Sequence, residues 1–417
     1  MSPHWLRRGL AALAAATLGT TLLIAQPVAP AHATSSSQDC STDTPALVAA
    51  SPPAFDALGV RQAWELATGA GTVVAVVDSG VNVANVHLRE GVLPGVNLVR
   101  GTDPATTDAE GHGTVAASVI AARGVEGSGL MGVAFEAEIL PVRVYYATSE
   151  EAQEQGVALT ADRIAAGIRW AAENGADVIN VSLSTTENVP AMAEAVRVAT
   201  ANGALVVASA GNRETSTVAE DVPRYPAAYP GVLGVSAVDV NGAWVPGASY
   251  TGEWVDVVAT GQQVPAAFHW AGDCVQAPGD ALPSSSWATA YVSGAAALVA
   301  QAHPGETPDQ WAHRLMVTAS RSQPADRDDR VGWGLVQPVA AIEFIDDGSA
   351  PGPASPIHPA PEPAPAPTSG IDLSPIEDPM APTRAIALWW MIGGVAFGAL
   401  VVLIARLGSA RRPARRR

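Results

Sequence analysis

The chain has 417 residues, of which 48% are hydrophobic, and its formal net charge is −17. This length allows a large domain with further segments, and the apolar content indicates a packed core. All acidic residues lie in 34–384, which carries no basic patch, so this composition argues against nucleic acid as a partner.

The first 33 residues have the pattern of a secretory signal peptide. Arg7 and Arg8 form a charged region, an apolar stretch follows over 10–25, and Ala-His-Ala at 31–33 is a cleavage pattern. We predict that residues 1–33 are removed on export. An uncleaved signal anchor is the alternative.

Residues 34–54 are polar and contain prolines, which predicts an extended N-terminal extension. The chain has two cysteines, Cys40 in this extension and Cys274 far along the sequence. In an exported protein two cysteines suggest one disulfide bond, and two unpaired thiols are the alternative. A bond would tie the extension across the main domain.

Residues 55–346 alternate short apolar runs with helix-like segments. This alternation predicts an α/β domain, a doubly wound parallel sheet with helices on both faces. The strand candidates are 72–77, 139–144, 178–183, 205–209, 232–238 and 255–259, and the helix candidates are 112–123, 161–173, 190–201, 288–302 and 307–318.

Four polar residues lie at the ends of these apolar elements, in the order Asp78, His112, Asn212 and Ser286. Asp78 and Asn212 follow strand candidates, and sites in open α/β sheets lie at the carboxyl ends of strands. Ser286 belongs to a cluster of three serines ahead of an alanine-rich helix. Taken singly, each of these patterns is more often a turn or a helix cap.

Together the four residues indicate acyl transfer from a serine. His112 would take the proton of Ser286, while Asp78 would hold the imidazole tautomer. The side-chain amide of Asn212 and the backbone N–H of Ser286 would donate hydrogen bonds to the oxyanion.

From residue 72 to about 345 the chain resembles the subtilisin-family serine proteases, which have the same Asp, His, Ser order. The resemblance implies the subtilisin fold and an endopeptidase acting on protein or peptide substrates, with no cofactor. It also implies substrate-pocket walls at 181–185 and 208–212. The acidic residues indicate a solvated surface, and we predict no metal site. The matching phrases are LPVRV at 140–144, ADVINVSL at 176–183, YPAAYP at 225–230 and GWGLV at 332–336.

The C-terminal part changes character. Residues 347–384 are rich in proline, which favours an extended polyproline linker. Residues 385–405 are apolar and uncharged, long enough for a transmembrane helix, and a buried core helix is the alternative. The arginines of the tail, 406–417, predict a cytoplasmic C-terminus and a peptidase domain outside the cell membrane.

This order of segments, together with Tyr-Val-Ser-Gly at 291–294, resembles the mycosins, membrane-anchored proteases of actinobacterial type VII secretion. The resemblance implies components of that secretion complex as partners and an extension held by disulfide bonding. Two alternatives remain open. One is a weakly active or inactive structural component of the secretion complex, and the other is a general cell-surface subtilase.

The nucleophile motif departs from the family pattern Gly-Thr-Ser-x-Ala-x-Pro. The register places Ser286 at the nucleophile, so Ser284 replaces a glycine and Ala290 replaces a proline. Ser118, after the histidine, also stands where the family usually has glycine. A side chain at 284 is placed to distort the oxyanion site or crowd the substrate.

Overall fold

The computed structural model describes Cys40 and residues 46–268, 272–358 and 378–409. These residues fall into two compact units, one ending at Ala360 and one beginning at Pro361. The predicted signal peptide, most of the N-terminal extension, the middle of the linker and most of the basic tail lie outside the described residues.

A seven-stranded sheet forms the centre of the first unit. Its order is β2-β3-β1-β4-β5-β6-β7, and every neighbouring pair is parallel. This confirms the predicted fold class. The strands are β1 (Val73–Asp78), β2 (Val96–Asn97), β3 (Glu138–Arg143), β4 (Val178–Val181), β5 (Leu205–Ser209), β6 (Val232–Val238) and β7 (Val257–Thr260). An antiparallel pair follows, β8 (Val264–Ala267) with β9 (Asp273–Gln276).

Helices cover both faces of the sheet. Alternate residues of β1 enter different cores, Val74 and Val76 on one face and Ala75 and Val77 on the other. The first core contains α3 and α7, and the second contains α5 and α6. The helices of this unit are α1 (Ala54–Leu58), α2 (Val60–Ala63), α3 (His112–Ala121), α4 (Glu150–Glu154), α5 (Ala161–Glu173), α6 (Pro190–Ala201), α7 (Ser285–Ala302), α8 (Pro308–Val317) and α9 (Pro338–Glu343).

Helix α7 begins three residues earlier than the predicted start at 288. Ser284 is its N-cap, with a side chain that accepts from the backbone N–H of Ser286. The helix is buried from Ser285 to Ala300. The serine cluster therefore lies in the first turn of a core helix.

The predicted disulfide bond between Cys40 and Cys274 is present, with Cα atoms 5.1 Å apart. Described residues of the extension also contact β9. The backbone N–H of Asp273 donates to Ala46 O at 2.7 Å, and the N–H of Val48 donates to Asp273 Oδ2 at 3.1 Å. The extension is thus tied to the peptidase domain by a covalent bond and by hydrogen bonds.

In the second unit, one helix, α10, runs over Ala381–Ser409 and contains the predicted span 385–405. By length and composition it can cross a membrane. Its 29 residues correspond to about 43 Å at the α-helical rise, longer than a hydrocarbon core of about 30 Å.

Candidate active site

Asp78 and His112 form a direct contact at the carboxyl edge of the sheet. Asp78 ends β1 and His112 begins α3, and His112 Nδ1 lies 2.9 Å from each carboxylate oxygen. The Asp78 side chain is fully buried, whereas 24% of the His112 side chain is exposed. Ser79 N–H (2.7 Å) and Tyr145 Oη–H (3.2 Å) also donate to Asp78 Oδ1. The carboxylate therefore orients the imidazole with Nδ1–H toward itself, which leaves Nε2 available as a base.

The charges around His112 raise its pKa. Burial is the largest single effect and lowers the pKa, but several effects oppose it. Attraction to Asp78, the hydrogen bond with it, and the charges of Asp108 and Glu110 together outweigh burial. Burial and the charge of Asp78 raise the pKa of the Tyr145 phenol well above its usual value, so this group stays protonated and donates.

Trp287 packs against the imidazole and was missed by sequence reasoning. Its ring centroid lies 4.8 Å from that of His112 at an interplanar angle of 37°, and the side chain is 8% exposed. Because Trp287 directly follows Ser286 in α7, the helix that carries the serine also contacts the histidine ring. Only the tertiary fold brings these two rings together.

The Ser286 hydroxyl contacts one of the two partners expected from the sequence, Asn212, and donates its proton to a backbone carbonyl rather than to His112. Ser286 Oγ donates to Ser182 O at 3.1 Å and accepts from Asn212 Nδ2 at 3.5 Å. Ser182 Oγ in turn donates to Ser286 O at 2.8 Å. Transfer of the Ser286 proton to His112 requires a rotation of the serine side chain, and such bonds often tighten only with substrate bound.

Both expected oxyanion donors converge on the hydroxyl oxygen of Ser284. Asn212 Nδ2 lies 3.1 Å from Ser284 Oγ, and Ser286 N lies 3.2 Å from the same atom. Asn212 Oδ1 accepts from the N–H and hydroxyl of Ser285, at 2.7 and 2.8 Å, which fixes the amide orientation. The Ser284 side chain, which was expected to crowd this site, thus acts as a hydrogen-bond acceptor for both donors. The backbone of Ser284 is in the ordinary extended region (φ −97°, ψ 127°), so its side chain causes no strain there.

The other two departures from the family pattern lie in packed surroundings. Ser118 Oγ donates to Val115 O at 2.8 Å and accepts from Ala267 N at 2.9 Å, which links α3 to β8. Ala290 is completely buried in α7. Among the described residues, no group of three or more acidic, histidine or cysteine side chains is arranged to hold a metal ion.

The chain is similar to known proteases over most of its length. A family model described as the subtilase family matches residues 69–334. Subtilisin BL of Lederbergia lenta is 35% identical over 277 residues, which cover 66% of this chain and 91% of that protein. Mycosin-1 of Mycolicibacterium smegmatis is 32% identical over 345 residues, which cover 71% of this chain and 74% of that protein.

A solved structure extends this similarity. A chain of an intact ESX-5 inner membrane complex superposes with a TM-score of 0.63 at 28% identity, over 87% of this chain and 91% of its own length. The family match, the parallel sheet and the Asp78–His112 pair agree with one another. The chain therefore belongs to the subtilase family, is related to the mycosins, and is a serine endopeptidase.

Proposed function

We propose that this chain is a membrane-anchored extracellular endopeptidase of mycosin type that cleaves peptide bonds through Asp78, His112 and Ser286, with Asn212 as an oxyanion donor. In this proposal the chain consists of a signal peptide (1–33), an N-terminal extension (34–54), the peptidase domain (55–346), a linker (347–384), a transmembrane helix (385–405) and a cytoplasmic tail (406–417).

The observation that carries the proposal is the position of the His112 imidazole. Its Nδ1 contacts the buried carboxylate of Asp78, while its ring packs on Trp287, the residue after Ser286. A base fixed in tautomer and orientation beside a serine at a helix start has the elements that acyl transfer needs.

The proposed reaction begins when the Ser286 side chain rotates away from Ser182. His112 Nε2 takes the hydroxyl proton as Ser286 Oγ attacks the carbonyl carbon of the scissile bond. The Ser284 side chain turns out of the site, and Asn212 Nδ2 and Ser286 N–H then donate to the substrate oxyanion instead of to Ser284 Oγ. His112 returns the proton to the leaving amine, and water hydrolyses the resulting ester by the same steps in reverse.

Anchoring and secretion partners form the second part of the proposal. Helix α10 has the length of a bilayer span, and the arginines that follow favour a cytoplasmic C-terminus. The resemblance to mycosins and the likeness to a chain of the ESX-5 complex support association with a type VII secretion complex. Secreted proteins of that system are the expected substrates.

One observation favours the alternative of a weakly active structural component. Ser284 Oγ takes both oxyanion donors in the resting site, at 3.1 and 3.2 Å. A substrate must displace this acceptor, which costs part of the stabilisation that the donors supply. The two roles are compatible, since a slow protease can also stabilise a complex.

Hydrolysis of unfolded casein by the full-length chain in detergent tests the enzymatic part. We expect release of peptides by the wild type, and no release by Ser286→Ala or His112→Ala at matched circular dichroism spectra. A folded wild-type protein that releases no peptide, or equal release by Ser286→Ala, contradicts the proposal.

A further inference from the structure

Arg224 is a buried cation with few partners. Its side chain is 6% exposed, and its hydrogen bonds go to one acceptor, Ser184 Oγ, from Nε at 3.3 Å and from Nη2 at 3.0 Å. Its Cζ lies 4.6 Å from the ring centroid of Tyr250. Within the part of the chain that the structure describes, no carboxylate forms an ion pair with Arg224.

Two other arginines that are buried in the described part of the chain, Arg143 and Arg314, have several acceptors each. Arg143 donates to the carbonyl oxygens of Ser79 and Thr107, among others, and Arg314 binds both carboxylate oxygens of Glu306. A guanidinium has five N–H donors, and burying a charge without acceptors is unfavourable. Arg224 thus has donor capacity that its fold leaves unused.

The Arg224 guanidinium lies close to the segment that carries Asn212. A Cβ built on Gly211 would lie 2.9 Å from Arg224 Nε and 2.8 Å from Ser184 Oγ. Gly211 has a φ of +90° and directly precedes Asn212, which contacts Ser286. Ser184 and Gly211 belong to the two segments expected to form the substrate-pocket walls, 181–185 and 208–212. The cation therefore lies where these two walls meet.

A second arginine provides an internal comparison. Arg213 also stacks on Tyr250, with its Cζ 4.6 Å from the same centroid, but it forms an ion pair with Asp221. Both guanidinium groups thus lie against the Tyr250 ring. Only the one at the pocket walls, Arg224, is without a carboxylate among the described residues, and the stacking replaces part of its lost hydration.

We propose that Arg224 forms the base of the pocket for the residue that precedes the scissile bond, and that it selects an aspartate or glutamate there. An entering carboxylate would replace the Ser184 hydroxyl as acceptor and form charge-assisted hydrogen bonds with the planar guanidinium. This inference rests on the proposed protease function, and it makes Arg224 a specificity-determining residue rather than a catalytic one.

Turnover of three peptide anilides by the full-length chain in detergent tests the inference. The substrates are succinyl-Ala-Ala-Pro-X-p-nitroanilide, with X as Glu, Gln or Leu, because the anilide fixes which residue precedes the cleaved bond. We expect kcat/KM for Glu to exceed that for Gln by about tenfold or more. In Arg224→Met this ratio falls to one or below, while in the matched control Arg213→Met it stays high.

Two results would overturn the inference. One is a wild type that prefers Gln or Leu over Glu, and the other is an Arg224→Met variant that slows all three substrates alike, as a purely structural arginine would. A binding measurement keeps the inference separate from the proposed function. If the wild type turns over none of the anilides, calorimetry with Ser286→Ala still measures whether the Glu or the Gln anilide binds more tightly.

Discussion

The hydroxyl of Ser284 accepts hydrogen bonds from both groups that would otherwise face an oxyanion. The two donors reach it at 3.1 and 3.2 Å, distances typical of formed hydrogen bonds. A substrate carbonyl must therefore compete with an oxygen that belongs to the protein. In the proposed mechanism, catalysis depends on how readily the Ser284 side chain turns out of the site.

Ser284→Gly is expected to raise kcat. Loss of one oxyanion donor costs subtilisin about 10²–10³ in kcat, and a rotating hydroxyl that competes for two donors should cost less, about tenfold. Glycine suits the extended backbone at 284 and serves as an N-cap at a cost of a few tenths of a kcal/mol. Steady-state kinetics on one anilide substrate measures the change.

Ser284→Ala is the matched control for that prediction, since it removes the acceptor oxygen but keeps the Cβ. An increase in kcat in both variants identifies the Ser284 hydroxyl as the cause of the slow reaction. An increase in Ser284→Gly alone identifies the bulk of the side chain as the cause. Unchanged or lower kcat in both variants would show that Ser284 does not hinder the reaction.

The raised pKa of His112 predicts the pH dependence of activity. The base must be neutral, so kcat/KM rises as the pH increases through the pKa of His112, and this limb lies above the usual histidine value of 6.5. Glu110 is one of the charges that raise the pKa. In Glu110→Gln the limb should move to lower pH by a fraction of a unit. A shift to higher pH, or none, in the kcat/KM profile would contradict the electrostatic account.

At the residue scale the sequence predicts which residues lie at the same edge of the sheet. It does not predict the hydrogen bonds and ring contacts that these residues form. Asp78 and Asn212 could be placed at one edge because both follow strands of a parallel sheet. The acceptor role of Ser284 depends on the amide of Asn212, 72 residues away, and the isolation of Arg224 depends on how Ser184 and Tyr250 pack. Such contacts have no local sequence signal.

At the element scale most strands of the parallel sheet and the long helices were predictable, and the antiparallel β8–β9 pair was not. Strands β5 and β6 and helices α5 and α6 have the predicted bounds. The β8–β9 pair was missed because it lies outside the alternation of strands and helices, and because β8 contains Pro265, which is unfavourable within a strand. The early start of α7 was missed because a run of serines is typical of a loop in the sequence. Only the tertiary structure provides the hydrogen-bond partners of these hydroxyls.

The disulfide bond connects the N-terminal extension to β9 and closes a sequence separation of 234 residues. Since a cross-link over a long loop mainly restricts the unfolded chain, Cys40→Ser should reduce the free energy of unfolding by about 2–4 kcal/mol. The expected decrease in Tm is about 3–7 °C. Thermal unfolding of the full-length chain in a Ser286→Ala background, which avoids self-cleavage, measures it.

The double variant Cys40→Ser/Cys274→Ser controls for an unpaired thiol and should have the same Tm as the single variant. If both variants have a Tm within about 1 °C of the parent, the hydrogen bonds between Asp273 and the extension hold the extension in place without the disulfide bond.

At the scale of the whole molecule, the chain combines a peptidase domain with an apolar helix that can span a bilayer. If α10 is the anchor, a chain that lacks residues 385–417 should be released into the medium on export, while the full chain sediments with membranes. Fractionation and immunoblotting measure the distribution. A chain lacking only 410–417 is the control and should stay with the membrane, whereas membrane retention of the longer deletion would mean that other contacts hold the domain.

The proposed mechanism requires Ser286 to be a nucleophile activated by His112. Treatment of the full-length chain in detergent with a fluorophosphonate probe, followed by mass spectrometry of the labelled peptide, tests this directly. We predict covalent labelling at Ser286 in the wild type, strongly reduced labelling in His112→Ala, and none in Ser286→Ala. A folded wild-type protein that stays unlabelled, or a label that persists in Ser286→Ala, would contradict it.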